Sequence, residues 1–286
     1  TQGALKGAIQ TLGHEGVESP RLDAELLLAH VLGVNRAAIL AWPERRLTPK
    51  DLTRYRDLVA RRAAREPLAY IVGHREFFDL DFAVDPRVLI PRPETELLVE
   101  YALSFARQMM PPSGGAIRVA DVGAGSGAIA VTLAVHLPEA TVYALDGSVG
   151  ALAVTEENAH WHGVADRVHC LLGDLLEPLP RAVDLIAANL PYVTTGEWEE
   201  LPPEIRDYEP RDALDGGPDG FQYIRRLLVM AGGFLRPGGK ILLEIGAAQG
   251  DQAIALAQRH FPQDRVRLHQ DYAGLDRLVI VSRQDA

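Results

Sequence analysis

The sequence predicts an α/β protein in which a mainly parallel sheet carries helices on both faces, preceded by a small helical domain and a β-hairpin. Three observations carry this. From Ile117 onward, short apolar strand-like runs alternate with helical runs, the signature of parallel strands joined by crossover helices. Residues 1–70 show helical spacing alone. Between the two, residues 71–92 change to strand-like alternation. At 286 residues two domains are the natural expectation, divided as 1–70, a hairpin linker at 71–92, and 93–286.

In the first domain, Ser19-Pro20 supplies an N-cap and a first-turn proline ahead of Leu22, Leu26 and Leu27, and Gly33 stands where a C-terminal cap belongs. Thr48-Pro49 repeats the start signal before Leu52, Tyr55, Leu58 and Val59, spaced for one helical face, and Pro67 lies beyond that helix. Arg54, Arg61 and Arg65 fall near a common side, a solvated face or a docking face for a partner. Leu80, Phe82 and Val84 alternate with polar residues, and Asp85-Pro86 marks a turn. A helix is expected from about Glu94 to Met110, stopped by Pro111-Pro112-Ser113-Gly114-Gly115.

The α/β region then reads in order. A strand at 117–120 leads into a glycine turn and a helix to about Leu137. Further strands are expected at 141–145, 168–172, 183–187 and 241–245. Helices are expected at about 148–163, 221–230 and 249–260, with a long irregular stretch at about 190–220. Two last strands, near 265–269 and 277–281, suggest an antiparallel edge.

Composition narrows the function classes. No apolar run approaches the roughly 20 residues of a membrane span, and Thr1–Ala4 opens no basic-then-apolar export signal. A single cysteine, Cys170, excludes an internal disulfide framework and suits a reducing cytoplasm. Residues 1–74 hold 11 Lys and Arg against 8 Asp and Glu, a balance of +3, whereas the rest holds 18 against 31, or −13. Such an acidic body is a poor match for nucleic acid, whose phosphates dominate affinity. The nine histidines show no ligand spacing, so no metal is expected.

Three motifs bear chemistry. Asp121-Val122-Gly123-Ala124-Gly125-Ser126-Gly127 sits between a strand and a helix, where glycines permit a sharp turn and close ligand approach. Its G-x-G-x-G spacing differs from the G-x-G-x-x-G of dinucleotide enzymes. Asp146 ends the next strand and is placed to accept hydrogen bonds from ribose hydroxyls, a feature shared by NAD and S-adenosylmethionine sites. Asp174, after the third strand, either accepts from an adenine amine or caps the next turn. The deciding element is Asn189-Leu190-Pro191-Tyr192 at the carboxyl end of the fourth strand, the edge where ligands bind in open α/β sheets. Asn189 offers a side-chain oxygen, Leu190 a backbone carbonyl held extended by the following proline, and Tyr192 a flat ring. Together these suit a planar NH₂ group.

On these residues the chain resembles the HemK/PrmC family of release factor glutamine methyltransferases over essentially its whole length. The matching features are the helical N-terminal domain, Ile90–Glu96, the glycine loop, the tetrad, Tyr208-Glu209-Pro210 with Ala213-Leu214, and Leu243–Gly246. The resemblance implies a seven-stranded Rossmann-like methyltransferase sheet and S-adenosyl-L-methionine as cofactor. It implies that Gly123 to Gly127 and Asp146 bind that cofactor, that Leu175 lies near its adenine, and that Asn189 touches both cofactor and substrate. Asn189, Leu190, Pro191 and Tyr192 would bind a glutamine of a peptide-chain release factor, with Asn189 and Tyr192 catalytic. The family usually has proline where this chain has Leu190. Alternatives are a ribosomal-protein glutamine methyltransferase, which shares the tetrad; an adenine-amine methyltransferase, disfavoured by Asn189 and the acidic body; an NAD-dependent oxidoreductase; and a non-enzymatic cofactor-binding scaffold. Neither direct nucleic-acid binding nor membrane association is expected.

Overall fold

The computed structural model describes residues 1–42, 44–109 and 116–285. Met110 and the expected stop signal at 111–115 lie outside the described residues. The chain forms two compact units: Thr1–His74 with Pro202–Tyr208, and Arg75–Leu201 with Glu209–Ala286. The hairpin therefore groups with the second unit from Arg75 on, and the irregular stretch after the fourth strand lends seven residues to the first.

The first unit holds α1 (Gln2–His14), α2 (Pro20–Leu32), α3 (Arg36–Ala41), α4 (Pro49–Ala63) and α5 (Leu68–Val72). Pro20 opens α2 and Gly33 closes it at φ 61°, although the Ser19 hydroxyl makes no capping bond. Thr48 and Asp51 form a reciprocal capping box at the start of α4. Leu12, Leu27, Leu28 and Tyr55 make the centre of the core, and the Tyr55 hydroxyl donates to the Ala24 carbonyl at 2.9 Å. Arg62 is buried and donates to Asp23 at 2.7 Å and to Glu204 of the returning segment at 3.1 Å. The three arginines expected on one side of α4 have separate engagements. Arg61 pairs with Glu66 and Arg65 with Glu204, while Arg54 Nη2 lies 3.4 Å from His30 Nε2. Arg65 lies past the end of α4 at φ 71°, which turns it away from the helical register.

The second unit begins with β1 (His74–Phe77) and β2 (Leu80–Ala83), then α6 (Thr95–Met109), β3 (Arg118–Val122), α7 (Ala128–His136), β4 (Thr141–Asp146), α8 (Val149–Trp161) and β5 (Val168–Leu172). After β6 (Val183–Ala188) comes the short α9 (Pro203–Arg206), which belongs to the first unit. There follow α10 (Gln222–Phe234), β7 (Leu235–Glu244), α11 (Gly250–His260), β8 (Arg265–Gln270) and β9 (Asp276–Ser282). The seven-stranded sheet has order β5-β4-β3-β6-β7-β9-β8, with β9 antiparallel to both neighbours. One strand is longer than its apolar run: β7 starts at Leu235. Its pairing with β6 shifts register between Val183↔Leu235 and Leu185↔Lys240, a bulge that absorbs Pro237-Gly238-Gly239. Likewise α10 continues through Gly232 and Gly233, its buried Ala231 and Leu228 packing outweighing the glycine penalty.

From β3 the chain moves outward through β4 and β5 and then crosses to β6 on the other side. The carboxyl ends of β3 and β6 therefore flank the topological switch point, where a crevice opens. Among the described residues no helix is long and apolar enough to cross a membrane.

Candidate active site

The loop after β3 is built for close approach. Gly123, Gly125 and Gly127 take φ of 79°, 56° and 80°, values that L side chains resist. The Gly123 and Ala124 N–H groups donate to the Leu145 carbonyl at 2.8 and 3.0 Å, tying the loop to β4. Thr155 Oγ1 donates to the Gly125 carbonyl at 3.0 Å, and Asn158 Nδ2 donates to the Ser126 carbonyl at 2.9 Å. Gly127 has no room for a side chain, since a Cβ would stand 2.9 Å from Thr155 Cγ2. Beneath the loop lies Asp121, fully buried. Its Oδ2 accepts from the Ala130 N–H at 2.9 Å while Oδ1 has no partner. Burial pushes its carboxyl up to about 7, with the Asp146 charge adding to the shift.

Asp146 ends β4 with each carboxylate oxygen taking one backbone donor: Gly125 N–H at 2.9 Å and Ser148 N–H at 2.8 Å. Both oxygens keep lone-pair capacity for further donors. Leu175 is buried at φ 49°. Asp174 beside it forms an ion pair with Arg226, so any other donor must compete with a guanidinium.

The tetrad leaves β6 directly. Asn189 Nδ2 donates to Thr95 Oγ1, the first residue of α6, at 3.0 Å, which leaves Oδ1 as the accepting atom of that amide. Leu190 is buried, and a Cβ on Gly123 would come within 3.2 Å of its Cδ2, so tetrad and glycine loop are in direct apposition. The Tyr192 hydroxyl donates to Glu244 Oε1 at 3.5 Å, and desolvation together with Glu244 raises its phenol above the ordinary range. Glu244 is itself buried at the end of β7. Desolvation pushes it up to about 7, against the hydrogen bonding of Thr95 and the charge of Arg277.

Two further supports hold the tetrad backbone. Gln249 Nε2 donates to the Tyr192 carbonyl at 2.9 Å, and its Oε1 accepts from the Gly246 N–H at 2.9 Å. A Cβ on Gly216 would sit 2.6 Å from the Pro191 carbonyl oxygen, and one on Gly220 would collide with that of Tyr192. A surface cleft of about 520 Å³ lined by Arg75, Glu76, Phe78, Asp79, Glu96 and Glu100 includes neither the glycine loop nor the tetrad.

Residues 3–73 match the family model of the PrmC N-terminal domain, and residues 103–201 match that of the methyltransferase small domain. A release factor glutamine methyltransferase of Moorella thermoacetica is 45% identical over 283 residues, covering 99% of this chain and 98% of its own. The chain belongs to the release factor glutamine methyltransferase family. A second member, from Nitratidesulfovibrio vulgaris, is 43% identical over 99% of this chain and 95% of its own. The crystal structure of a methyltransferase from Pyrococcus furiosus shares the fold, with a TM-score of 0.51 at 16% identity over 73% of this chain and 91% of that one.

Within the family frame, the seven-stranded sheet matches the expected methyltransferase architecture. The glycine loop, Asp146 and the tetrad converge on the switch point, and Leu175 and Asp174 follow β5 on the far side of β4. The sequence assigns no role to Thr95, Asn158, Glu244 or Gln249. Two carried a signal: Thr95 lies in the Pro-Glu-Thr-Glu run, and Glu244 is a carboxylate closing the apolar run Ile241-Leu242-Leu243.

Proposed function

We propose that this chain transfers a methyl group from S-adenosyl-L-methionine to the side-chain amide nitrogen of the glutamine in the Gly-Gly-Gln motif of peptide-chain release factors. The observation that carries the reading is the apposition of the Asn189–Tyr192 tetrad and the glycine loop at the switch point, in a chain of this family over its full length.

The residues fit an adenosyl cofactor. A Cβ on Gly125 would meet nothing closer than the Gly123 carbonyl oxygen at 4.0 Å, so ligand atoms have access there. Gly123, Ala124, Gly125, Ser126 and Gly127 would line it, and Asp146 would accept from the ribose hydroxyls. Leu175 and Asp174 would border the adenine, and Asn189 would touch cofactor and substrate together. Bound there, S-adenosyl-L-methionine supplies a methyl already activated on a sulfonium.

The chain's own work is orientation. A glutamine amide nitrogen is a weak nucleophile because its lone pair is delocalised into the carbonyl. Asn189 Oδ1 and the Leu190 carbonyl accept its two N–H groups, and Tyr192 covers the amide plane. Fixing such a geometry contributes about 7–11 kcal/mol in the best-oriented cases. The same two acceptors stabilise the positive charge that grows on nitrogen, and the proton leaves afterwards.

The helical unit recognises the release factor, since it carries the positive balance and no cofactor motif. A translation factor as substrate places the reaction in the cytoplasm. Cys170, whose thiol burial pushes up to about 11, is compatible with a reducing compartment. The test is mass spectrometry of purified release factor incubated with enzyme and cofactor, with DNA and RNA as parallel substrates. A gain of one CH₂ on the Gly-Gly-Gln glutamine is expected; transfer to nucleic acid alone would overturn the reading.

A further inference from the structure

Asn189 and Tyr192 are held by side chains distant in sequence, Thr95 and Glu244. An asparagine amide has two nearly isosteric ends, one accepting and one donating. The proposed reaction needs the accepting end toward the substrate, so something must hold the donating end away. That partner is Thr95, whose Oγ1 receives Asn189 Nδ2 at 3.0 Å. A hydroxyl that accepts in this direction is left with one proton to give. Thr95 is buried, and its hydroxyl is near enough to Glu244 to favour the charged carboxylate. Glu244 Oε2 is buried without a hydrogen-bond partner among the described residues, while Oε1 accepts from the Tyr192 hydroxyl at 3.5 Å. The Tyr192 bond is at the long limit of hydrogen bonding, so Glu244 keeps capacity for a second donor.

We infer that Thr95 and Glu244 are positioning residues that fix the polarity of the Asn189 amide and the tilt of the Tyr192 ring, an inference that rests on the proposed methyl transfer to an amide. Glu244 is the sink of the network. Its negative charge favours the Thr95 rotamer that turns the hydroxyl proton toward Glu244 and the lone pair toward Asn189 Nδ2, which leaves Oδ1 for the substrate. The other charges that bear on Glu244 are Arg277 from β9, which pairs with Asp271 at 3.2 Å, and Glu94 just before α6. Arg277 thus divides its charge between Asp271 and Glu244, and among the described residues makes no hydrogen bond to Glu244.

The test compares Thr95→Val, Thr95→Ser, Glu244→Leu and Glu244→Gln in the full chain. Thr95→Val keeps the shape and removes the hydroxyl. It should lower kcat on release factor by about tenfold or more, the equivalent of one buried hydrogen bond, with cofactor Kd and melting temperature unchanged. Thr95→Ser should restore kcat. Glu244→Leu should act like Thr95→Val, and Glu244→Gln, which keeps one acceptor, should fall between. A loss seen only in KM or cofactor Kd, or a Thr95→Ser variant no better than Thr95→Val, would overturn the inference. An independent readout needs no substrate: the Asn189 side-chain NH₂ resonances, assigned by their loss in Asn189→Ala. They should be protected from solvent exchange in the parent and Thr95→Ser, and exposed in Thr95→Val. Equal protection in all three sinks the positioning role even where methyl transfer is confirmed. Parental inactivity on release factor would count against the proposed function and leave this readout standing.

Discussion

The glycine loop and the tetrad sit side by side at one crevice and are held by different means. The loop is held largely by main chain: its N–H groups bond the Leu145 carbonyl and Asp146, and its shape follows from three glycines at positive φ. The tetrad is held by side chains from elsewhere, with Thr95 94 residues from Asn189, Glu244 52 from Tyr192 and Gln249 57 from Tyr192. A cradle written in local backbone tolerates change in distant parts of the fold. A platform tied to three other elements transmits such changes straight to the reacting atoms.

The sharpest way to break the comparison is to fill the two cradles. Gly220→Ala forces a Cβ into the Tyr192 carbonyl and strains φ 74°. It should displace the tetrad, with a stability loss of about 3 kcal/mol or more and near-complete loss of kcat. Gly125→Ala has open space and should cost only about 1–2 kcal/mol of αL strain, weakening cofactor binding while the fold persists. Circular dichroism and calorimetry on the pair separate these outcomes; equal melting temperatures would erase the distinction.

Asp146→Ala removes the partner of the Gly125 and Ser148 N–H groups and the acceptor proposed for ribose. Cofactor affinity should fall at least about tenfold, as expected for a hydrogen bond to a charged group of about 1.5–3 kcal/mol, with the fold largely retained. Titration calorimetry showing an unchanged Kd would remove Asp146 from the cofactor site. Gln249→Leu should do the converse, lowering kcat severalfold with little change in cofactor Kd.

The two buried carboxyls sharpen the contrast through pH. Asp121 under the loop and Glu244 behind the tetrad are both raised to about 7. Since each folded pKa exceeds its ordinary value, the stability each contributes is fully present below about pH 4 and is lost as pH rises through 7. Asp121→Asn should therefore reduce the melting-temperature loss between pH 5 and 8, an effect on the order of 2–4 kcal/mol for shifts of this size. On the tetrad side, kcat should be flat above pH 8 and fall as Glu244 takes a proton near 7, and Glu244→Gln should flatten that limb. An acid limb that survives in Glu244→Gln would point to a general base instead. The smallest effect belongs to Leu190→Pro. Proline fits a position used through its carbonyl, and its rigidity should offset the lost packing to within about 1 kcal/mol.

What the sequence disclosed follows the same division. The glycine loop, Asp146 and the tetrad are legible because residue type and spacing alone define them. Alternating strands and helices disclosed the sheet, including its antiparallel edge, for the same local reason. Thr95 and Glu244 lie in runs that the sequence marks, but their pairing with Asn189 and Tyr192 comes from proximity across the fold, which no local pattern encodes. The bulge that extends β7 back to Leu235 was hidden by Pro237-Gly238-Gly239, residues that ordinarily end a strand. Arg61 and Arg65 looked like a free basic face because their carboxylates, Glu66 and Glu204, lie off the helix, one of them 139 residues away.

The excursion of Pro202–Tyr208 into the helical unit has a consequence for the order of assembly. Thr1–His74 leaves the ribosome ahead of residues 75–201, all of which must emerge before Glu204 does. Until then, among the described residues, the Arg62 guanidinium, 8% exposed in the finished protein, has Asp23 as its carboxylate partner, and Arg65 has the Glu15 and Gly16 carbonyls. The amino-terminal unit is begun first and finished late. A fragment cut at His74 would carry that unfinished state permanently, with the Arg62 and Arg65 guanidiniums both without Glu204. Expressing the helical unit alone therefore calls for a graft of the 202–208 segment.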